Sequence, residues 1–182
     1  TLISITSCQS SEEDYIPTDQ TILESVFGTN VDLNSTLNYQ NTNIPPYIRF
    51  TETGNTIDNK KATLGRILFY DKQLSIDNSI SCANCHQQEN AFSDTAIASI
   101  GVNGVTVRHS MRLVNTGFQA GTNYFWNERV NSLERQVTEP IKDHLEMGFS
   151  GENAAPNFDD LLSKLSQIDY YQVLFNHVYG DE

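Results

Sequence analysis

Sulfur and positive charge are both scarce in this chain. Its 182 residues include three cysteines, two methionines and one tryptophan. So few cysteines exclude a disulfide framework, and a chain of this length buries enough apolar surface to fold without one. Lysine and arginine number 11 against 23 aspartates and glutamates. That balance argues against nucleic acid as a partner and for an acidic, well-solvated surface. Steering of a basic partner protein is the sharper reading of the same charge. No apolar run is long enough to span a membrane as a helix. Neither an internal repeat nor a convincing strand pair stands out, so the expected class is mainly α, one domain with long loops.

What is present is Cys82-Ala83-Asn84-Cys85-His86, the C-x-x-C-H form of a c-type haem attachment site. On a short helix, positions i and i+3 share a face, so both thiols can form thioethers to the two haem vinyl groups. His86, beside the second anchor, can offer an imidazole nitrogen to the iron as proximal ligand. Side chains on the other haem face then decide between oxygen chemistry and electron transfer. A thioredoxin-like C-x-x-C does not call for the adjacent histidine, and a zinc site needs a second ligand pair. The remaining cysteine, Cys8, lies far away near the start. Haem c is therefore the expected cofactor, held by Cys82, Cys85 and His86, with His86 the metal ligand.

Residues 1–8 form a short apolar run ending in small residues and read as the remnant of an export signal. Ile5-Thr6-Ser7-Cys8 resembles the lipobox of bacterial lipoproteins, in which the cysteine left by cleavage carries lipid. Cys8 is accordingly expected to be a lipid anchor and Gln9 to Asp14 its tether; the plainer alternative is a free thiol in a frayed terminus. The periplasm or cell envelope is the expected location, with membrane contact only through that lipid.

Residues 9–44 are polar, with isolated apolar positions such as Ile22, Leu23 and Val26, and read as a linker and wrapping segment. Ile44-Pro45-Pro46-Tyr47 starts an extended lead-in and Gly54-Asn55 marks a turn, so the folded domain is set at 45–182. Leu64, Ile67 and Leu68 predict a helix over 59–70 whose apolar stripe packs near the haem. Residues 87–107, with Asp94, Gly101, Asn103 and Gly104 among small apolar residues, are expected to form a loop arching over one haem face. Asn131, followed three residues later by Glu134, is the expected N-cap of a short helix that Pro140 ends. Pro156 precedes an amphipathic helix marked by Phe158, Leu161, Leu162, Leu165 and Ile168. Asp169 is expected to cap a last helix carrying Val173, Leu174 and Val178 up to Gly180.

Taken in order, several stretches resemble the N-terminal haem domain of bacterial dihaem cytochrome c peroxidases, a family that includes the methylamine-utilisation dihaem enzymes. They are Leu64-Gly65-Arg66-Ile67-Leu68-Phe69-Tyr70-Asp71, Leu74-Ser75, and the haem motif with Ala91-Phe92 and Asp94 behind it. Arg108 to Asn115, Phe125-Trp126-Asn127-Glu128-Arg129, Leu133-Glu134-Arg135-Gln136, Pro140-Ile141 and Glu146-Met147-Gly148 follow. The likeness runs from about Leu37 to Asp181. It implies a cytochrome c-like haem domain that reduces hydrogen peroxide to water. Electrons would come from a small donor protein such as a c-type cytochrome, through a second haem in a C-terminal domain; a homodimer stays open.

Carried over by position, His86 is the proximal ligand, Glu146 the distal acid/base, Gln136 lies in the peroxide pocket and Trp126 lies between the haems. Heterolysis of the O–O bond needs a proton moved from the inner to the outer peroxide oxygen, a task suited to a carboxylate. Outside that context Glu146 reads as a surface residue beside Asp143 and His144, Gln136 as a solvated helix residue and Trp126 equally as core or as an electron relay.

Two positions depart from the family pattern. Many members carry a distal histidine in the loop after the haem motif, which blocks the iron until the partner haem is reduced. Residues 87–107 here contain no His, Met, Tyr, Cys or Lys, so the resting iron is expected to be five-coordinate or water-bound, with His109 and Met111 as the residues able to close it. His109 also stands where the family commonly has an asparagine that helps position calcium between the domains. Calcium prefers oxygen ligands, which puts calcium binding in doubt. His109, flanked by Arg108 and Arg112, is placed with Arg108 near a haem propionate; His144 and His177 read as surface or packing residues.

There is no second C-x-x-C-H. The chain is read as the peroxidatic part of a longer polypeptide, with one haem and little turnover alone. A monohaem electron-transfer cytochrome, its iron closed by Met111 or Met147, is the alternative from another class. A methylamine-utilisation-like dihaem oxidase acting on a protein substrate is the third reading.

Overall fold

The architecture is built around the apolar stripe of one helix. In this computed structural model, which describes residues 18–40, 57–118 and 123–180, Asn59–Tyr70 forms that helix (α2), after a shorter one over Asp19–Phe27 (α1). The readings on Cys8, on Ile44 to Tyr47 and on Gly54-Asn55 lie outside the described residues. Asp58 opens α2 by accepting the Lys61 amide at 2.8 Å, which satisfies one of the unpaired donors of the first turn. Leu64 and Ile67 are buried as the spacing predicts. They pack into a core with Leu23, Leu161 and Leu174, and the same helix also contacts Cys82–Cys85. Phe69, on the same helix, is the residue that reaches the motif, with its ring centre 6.5 Å from that of His86.

The remaining helices follow as Cys82–Cys85 (α3), Leu133–Gln136 (α4), Glu139–Lys142 (α5), Phe158–Ser166 (α6) and Asp169–Tyr179 (α7). Asn157 caps α6 by accepting the amides of Asp159 and Asp160 at 2.8 and 3.2 Å, while Leu161 and Leu165 turn inward. Leu162 is exposed, and Ile168 lies beyond α6 as the residue from which α7 starts. Tyr171, Val173 and Leu174 of α7 complete the core. Mainly α is therefore the class.

Four expectations change. Within the stretch read as linker and wrapping segment, α1 is a helix whose Leu23 is fully buried and which packs on α7. The expected loop at 87–107 contains an antiparallel hairpin, Ile100–Gly101 (β1) with Gly104–Val105 (β2), Ile100 facing Val105. Ser132, not Asn131, caps α4, with its hydroxyl accepting the Arg135 amide at 3.3 Å. Pro140 does not end a helix either, for it sits in the first turn of α5, where a missing N–H costs nothing.

Polar clamps fix the connection from α2 to α3. Tyr170 and Tyr171 both donate to Asp71 Oδ2, at 2.6 and 2.7 Å, and the Gln73 amide donates to Asp71 Oδ1 at 2.8 Å. Lys164 of α6 donates to the carbonyls of Gln73 and Ser75, at 2.7 and 3.2 Å, and to Asn78 Oδ1. The haem motif thus starts from a connection tied at several points to α6 and α7.

Candidate haem site

Local chemistry explains why Cys82–Cys85 coils. Asn84 Oδ1 accepts from both the amide and the hydroxyl of Ser81, at 2.9 and 3.0 Å, closing the first turn from the residue in front of it. The His86 amide donates to the Cys82 carbonyl at 2.9 Å, so the histidine leaves the helix one turn above the first cysteine. Both thiols are free and half-buried. Burial pushes the Cys82 thiol up to about 11 and the Cys85 thiol above its ordinary value, so both are protonated at neutral pH.

The next seven residues aim the imidazole. The Gln87 amide donates to the Ser93 carbonyl and the Phe92 amide to the Gln87 carbonyl, each at 2.9 Å. Ala91 and Phe92 take left-handed backbone, φ 58° and 56°, to make that turn. The result is that the Phe92 carbonyl lies 2.9 Å from His86 Nδ1. A carbonyl only accepts, so Nδ1 carries the proton and the lone pair is on Nε2, the arrangement that orients a metal-ligating histidine.

His86 and Cys85 line a cavity of about 430 Å3 whose other walls include Arg108, Trp126, Gln136 and Glu146. Every residue expected at the site except Cys82, one turn away on α3, borders this one space. Burial raises the Glu146 pKa, Asp143 raises it further, and Arg129 opposes both. Asp143 also holds the backbone there, its Oδ1 accepting the amides of Leu145 and Glu146 at 2.9 and 3.1 Å. Trp126 is not core: it is 59% exposed and its Nε1–H donates to the His109 carbonyl at 2.9 Å.

Several contributors were not visible in the sequence pattern. Arg129 borders the cavity with its guanidinium carbon 3.5 Å from the centre of the Phe125 ring. It is presented by a closed loop in which Tyr124 pairs with Val130, while Phe125 and Glu128 adopt positive φ of 69° and 56°. His109 is engaged at both nitrogens, Nε2 with Ser93 Oγ at 3.0 Å and Nδ1 with the Ala96 carbonyl at 2.6 Å, and Asp94 lies 3.3 Å from Nδ1. Met147 is a core residue and is not among those lining the cavity, whereas Met111 borders it.

These residues fit haem c. Two protonated thiols stand a turn apart on one short helix, an imidazole is held with Nε2 free, and the cavity lies in the usual range for cofactors of roughly 300–1,000 Å3. Among the described residues no group of three or more His, Cys, Asp or Glu could hold a metal ion by itself. A single histidine ligand is what a metal already carried in a macrocycle requires. A c-type haem-binding domain is the class that this fold and site define.

Comparison with known proteins gives the family. The model of the family described as di-haem cytochrome c peroxidase matches residues 59–182. The methylamine utilization protein MauG of Methylophilus methylotrophus is 30% identical over 160 residues, which is 81% of this chain and 45% of that protein. The cytochrome c peroxidase Ccp of Escherichia coli is 32% identical over 123 residues, 67% of this chain and 25% of its own length. Among solved structures, a MauG-like protein associated with microbial copper homeostasis superposes with a TM-score of 0.63 at 33% identity, covering 76% of this chain and 40% of that one. The chain belongs to the di-haem cytochrome c peroxidase family, and haem c is its cofactor. It spans less than half the length of these relatives.

Proposed function

We propose that this chain is the peroxidatic haem domain of a dihaem cytochrome c peroxidase. One observation carries the reading: a histidine with an oriented, free Nε2 and a glutamate with a raised pKa border the same cavity. Cys82 and Cys85 would hold the haem by thioethers and His86 Nε2 would ligate its iron. When bound, the haem would supply the iron that reacts with peroxide and a store for the electrons that reduce it.

The chain's own residues supply binding and proton transfer. Each hydrogen peroxide takes up a pair of electrons and a pair of protons and leaves as water. The raised pKa of Glu146 brings it closer to neutral pH, where a carboxyl group can both accept and return a proton. It takes the proton from the inner peroxide oxygen and delivers it to the outer one, so the departing oxygen leaves as water rather than hydroxide. The Gln136 amide offers both a donor and an acceptor to orient the peroxide. Arg108, which borders the cavity, would meet a haem propionate, and Trp126, exposed at the cavity, would be the aromatic group toward a second haem.

The wider reading rests on the same likeness. Residues 45–182 are the haem domain, 9–44 wrap it, and a second haem domain supplies electrons received from a c-type cytochrome or similar donor. Residues 1–8 with Cys8 support export and a lipid anchor in the cell envelope. Substituting Glu146→Gln in the haem-loaded chain tests the core of the proposal: peroxide reactivity falls while haem attachment persists. Unchanged reactivity would remove Glu146 from the chemistry.

A second reading has one observation in its favour. Met111 borders the cavity, so a thioether closing the iron would make the chain an electron carrier. Its mark is a low-spin ferric haem that ignores peroxide.

A further inference from the structure

The β1–β2 hairpin joins the haem-anchoring helix to the segment that carries Glu146. Its base is buried and polar. Ser99 and Thr106 are 4% and 9% exposed, the Thr106 amide donates to the Ser99 carbonyl at 2.9 Å, and the Ser99 amide donates to Thr106 Oγ1 at 3.0 Å. The Ser99 hydroxyl donates to Asp94 Oδ2 at 2.6 Å, and Ser99 borders the cavity together with Cys85. This end of the hairpin is therefore tied to Asp94, directly after the loop that aims His86, on the Cys85 side of the cavity.

The tip is fixed to the other wall. The Val102 amide donates to the Glu146 carbonyl at 2.9 Å, the Asn103 amide to the Leu145 carbonyl at 3.3 Å, and Asn103 Nδ2 to the His144 carbonyl at 2.8 Å. Three successive carbonyls are taken by two residues of the tip. Gly101 allows this approach, because a Cβ there would overlap the Leu145 carbonyl. With Asp143 holding the amides of Leu145 and Glu146 from the other side, both the N–H and the C=O of these two residues are used. Only the Glu146 side chain is left to point its carboxyl where the cavity needs it.

The hairpin is not there to fill the core. Ile100 and Val105 are 74% and 59% exposed, so its arms contribute little burial and its hold on the molecule is at its two ends. We infer that the Ser99–Thr106 hairpin is a spacer of fixed length between the haem-bearing Cys85 and Glu146, with Gly101 and Asn103 as positioning residues that set the place of the carboxyl relative to the haem. The inference rests on the reading of Glu146 as the acid/base.

Asn103→Ala in the haem-loaded chain is the direct test, because Asn103 is exposed and its loss removes one tip bond without touching the cavity. Placing a general acid about 1 Å off its working position costs on the order of 100-fold in rate, so the peroxide reaction should slow by about 10- to 100-fold. Haem content and the denaturation midpoint stay near wild type. Amide exchange quickens at Val102 and position 103 but not in α2 or α7. Added to Glu146→Gln, Asn103→Ala should cause no further loss. Gly101→Ala should act in the same direction, more strongly.

Tip amides that loosen while the peroxide rate stays at wild type would overturn the inference. If Glu146→Gln alone leaves the rate unchanged, it is the acid/base reading that fails. The spacer is then judged by isotope-edited infrared titration of the Glu146 carboxyl: a shifted titration in Asn103→Ala upholds it, and an unshifted one overturns it.

Discussion

His86 and Phe92 are joined by a single hydrogen bond, Nδ1 to carbonyl oxygen at 2.9 Å, and it decides which imidazole nitrogen faces the cavity. The bond depends on a strained turn, since Ala91 and Phe92 are both left-handed. For a residue with a Cβ that conformation costs roughly 1–2 kcal/mol, of which glycine would return part as unfolded-chain entropy. Ala91→Gly should therefore raise the unfolding free energy of the chain by up to about 1 kcal/mol. Urea denaturation measures it, and a loss of stability would mean that the turn is not strained.

Glu146→Gln should lower the rate of the peroxide reaction by about 100- to 10,000-fold, the usual contribution of a positioned acid/base. It should also change how stability responds to pH. Burial raises the folded pKa of Glu146, so its contribution to stability is present in acid and is lost as pH rises through the folded value. Glutamine carries no such loss. The stability of the variant relative to wild type should therefore be greater at neutral pH than in acid, which denaturation of the haem-free chain at both conditions would detect.

Asp71 accepts from two phenols and one amide. Asp71→Asn weakens three bonds to a charged acceptor at once, and a cost of about 2–4 kcal/mol is expected in urea unfolding. Burial first, and Asp71 second, push the ionisation of Tyr170 and Tyr171 above the ordinary tyrosine value. A raised phenol pKa contributes stability that is complete below about pH 10, where free tyrosine ionises, and is lost as pH climbs toward the folded values. Alkaline unfolding and tyrosine ionisation should coincide for this pair; ionisation of both in the folded chain would refute it.

Met111→Leu separates the two functional readings. Leucine conserves the apolar volume but cannot ligate iron. Under the peroxidase reading the ferric spectrum is the same with either residue, whereas conversion from low to high spin on substitution would make Met111 a ligand and the chain a carrier.

The parts of the fold legible in the sequence were those with a local cause. The C-x-x-C-H spacing, the i, i+3, i+4 stripe of α2 and the apolar spacing behind Pro156 each specify structure within a few residues; the Asn157 cap of α6 came only from the structure. Leu23 was missed because a nine-residue helix in a polar stretch shows little periodicity, and only its contact with α7 explains it. The hairpin was missed because its strands are two residues each and their outward arms are apolar, so no alternation marks them. Gly101 reads from the sequence as a loop residue, but its reason is the Leu145 backbone, distant in sequence. Pro140 reads as a helix end because proline interrupts a helix, whereas in a first turn it can begin one. At the site, Glu146, Gln136 and Trp126 were placed by family likeness, and burial and charge in the structure supply their physical context. Arg129 was part of a quoted motif without a role until its loop put it beside the cavity.

The most direct test of the proposed function is the absorption and EPR spectrum of the haem-loaded ferric chain before and after hydrogen peroxide is added. The predicted result is a high-spin signal that shifts on addition, because His109 is bonded at both nitrogens, Met147 is in the core and the cavity beside His86 is open. A low-spin signal indifferent to peroxide would contradict it.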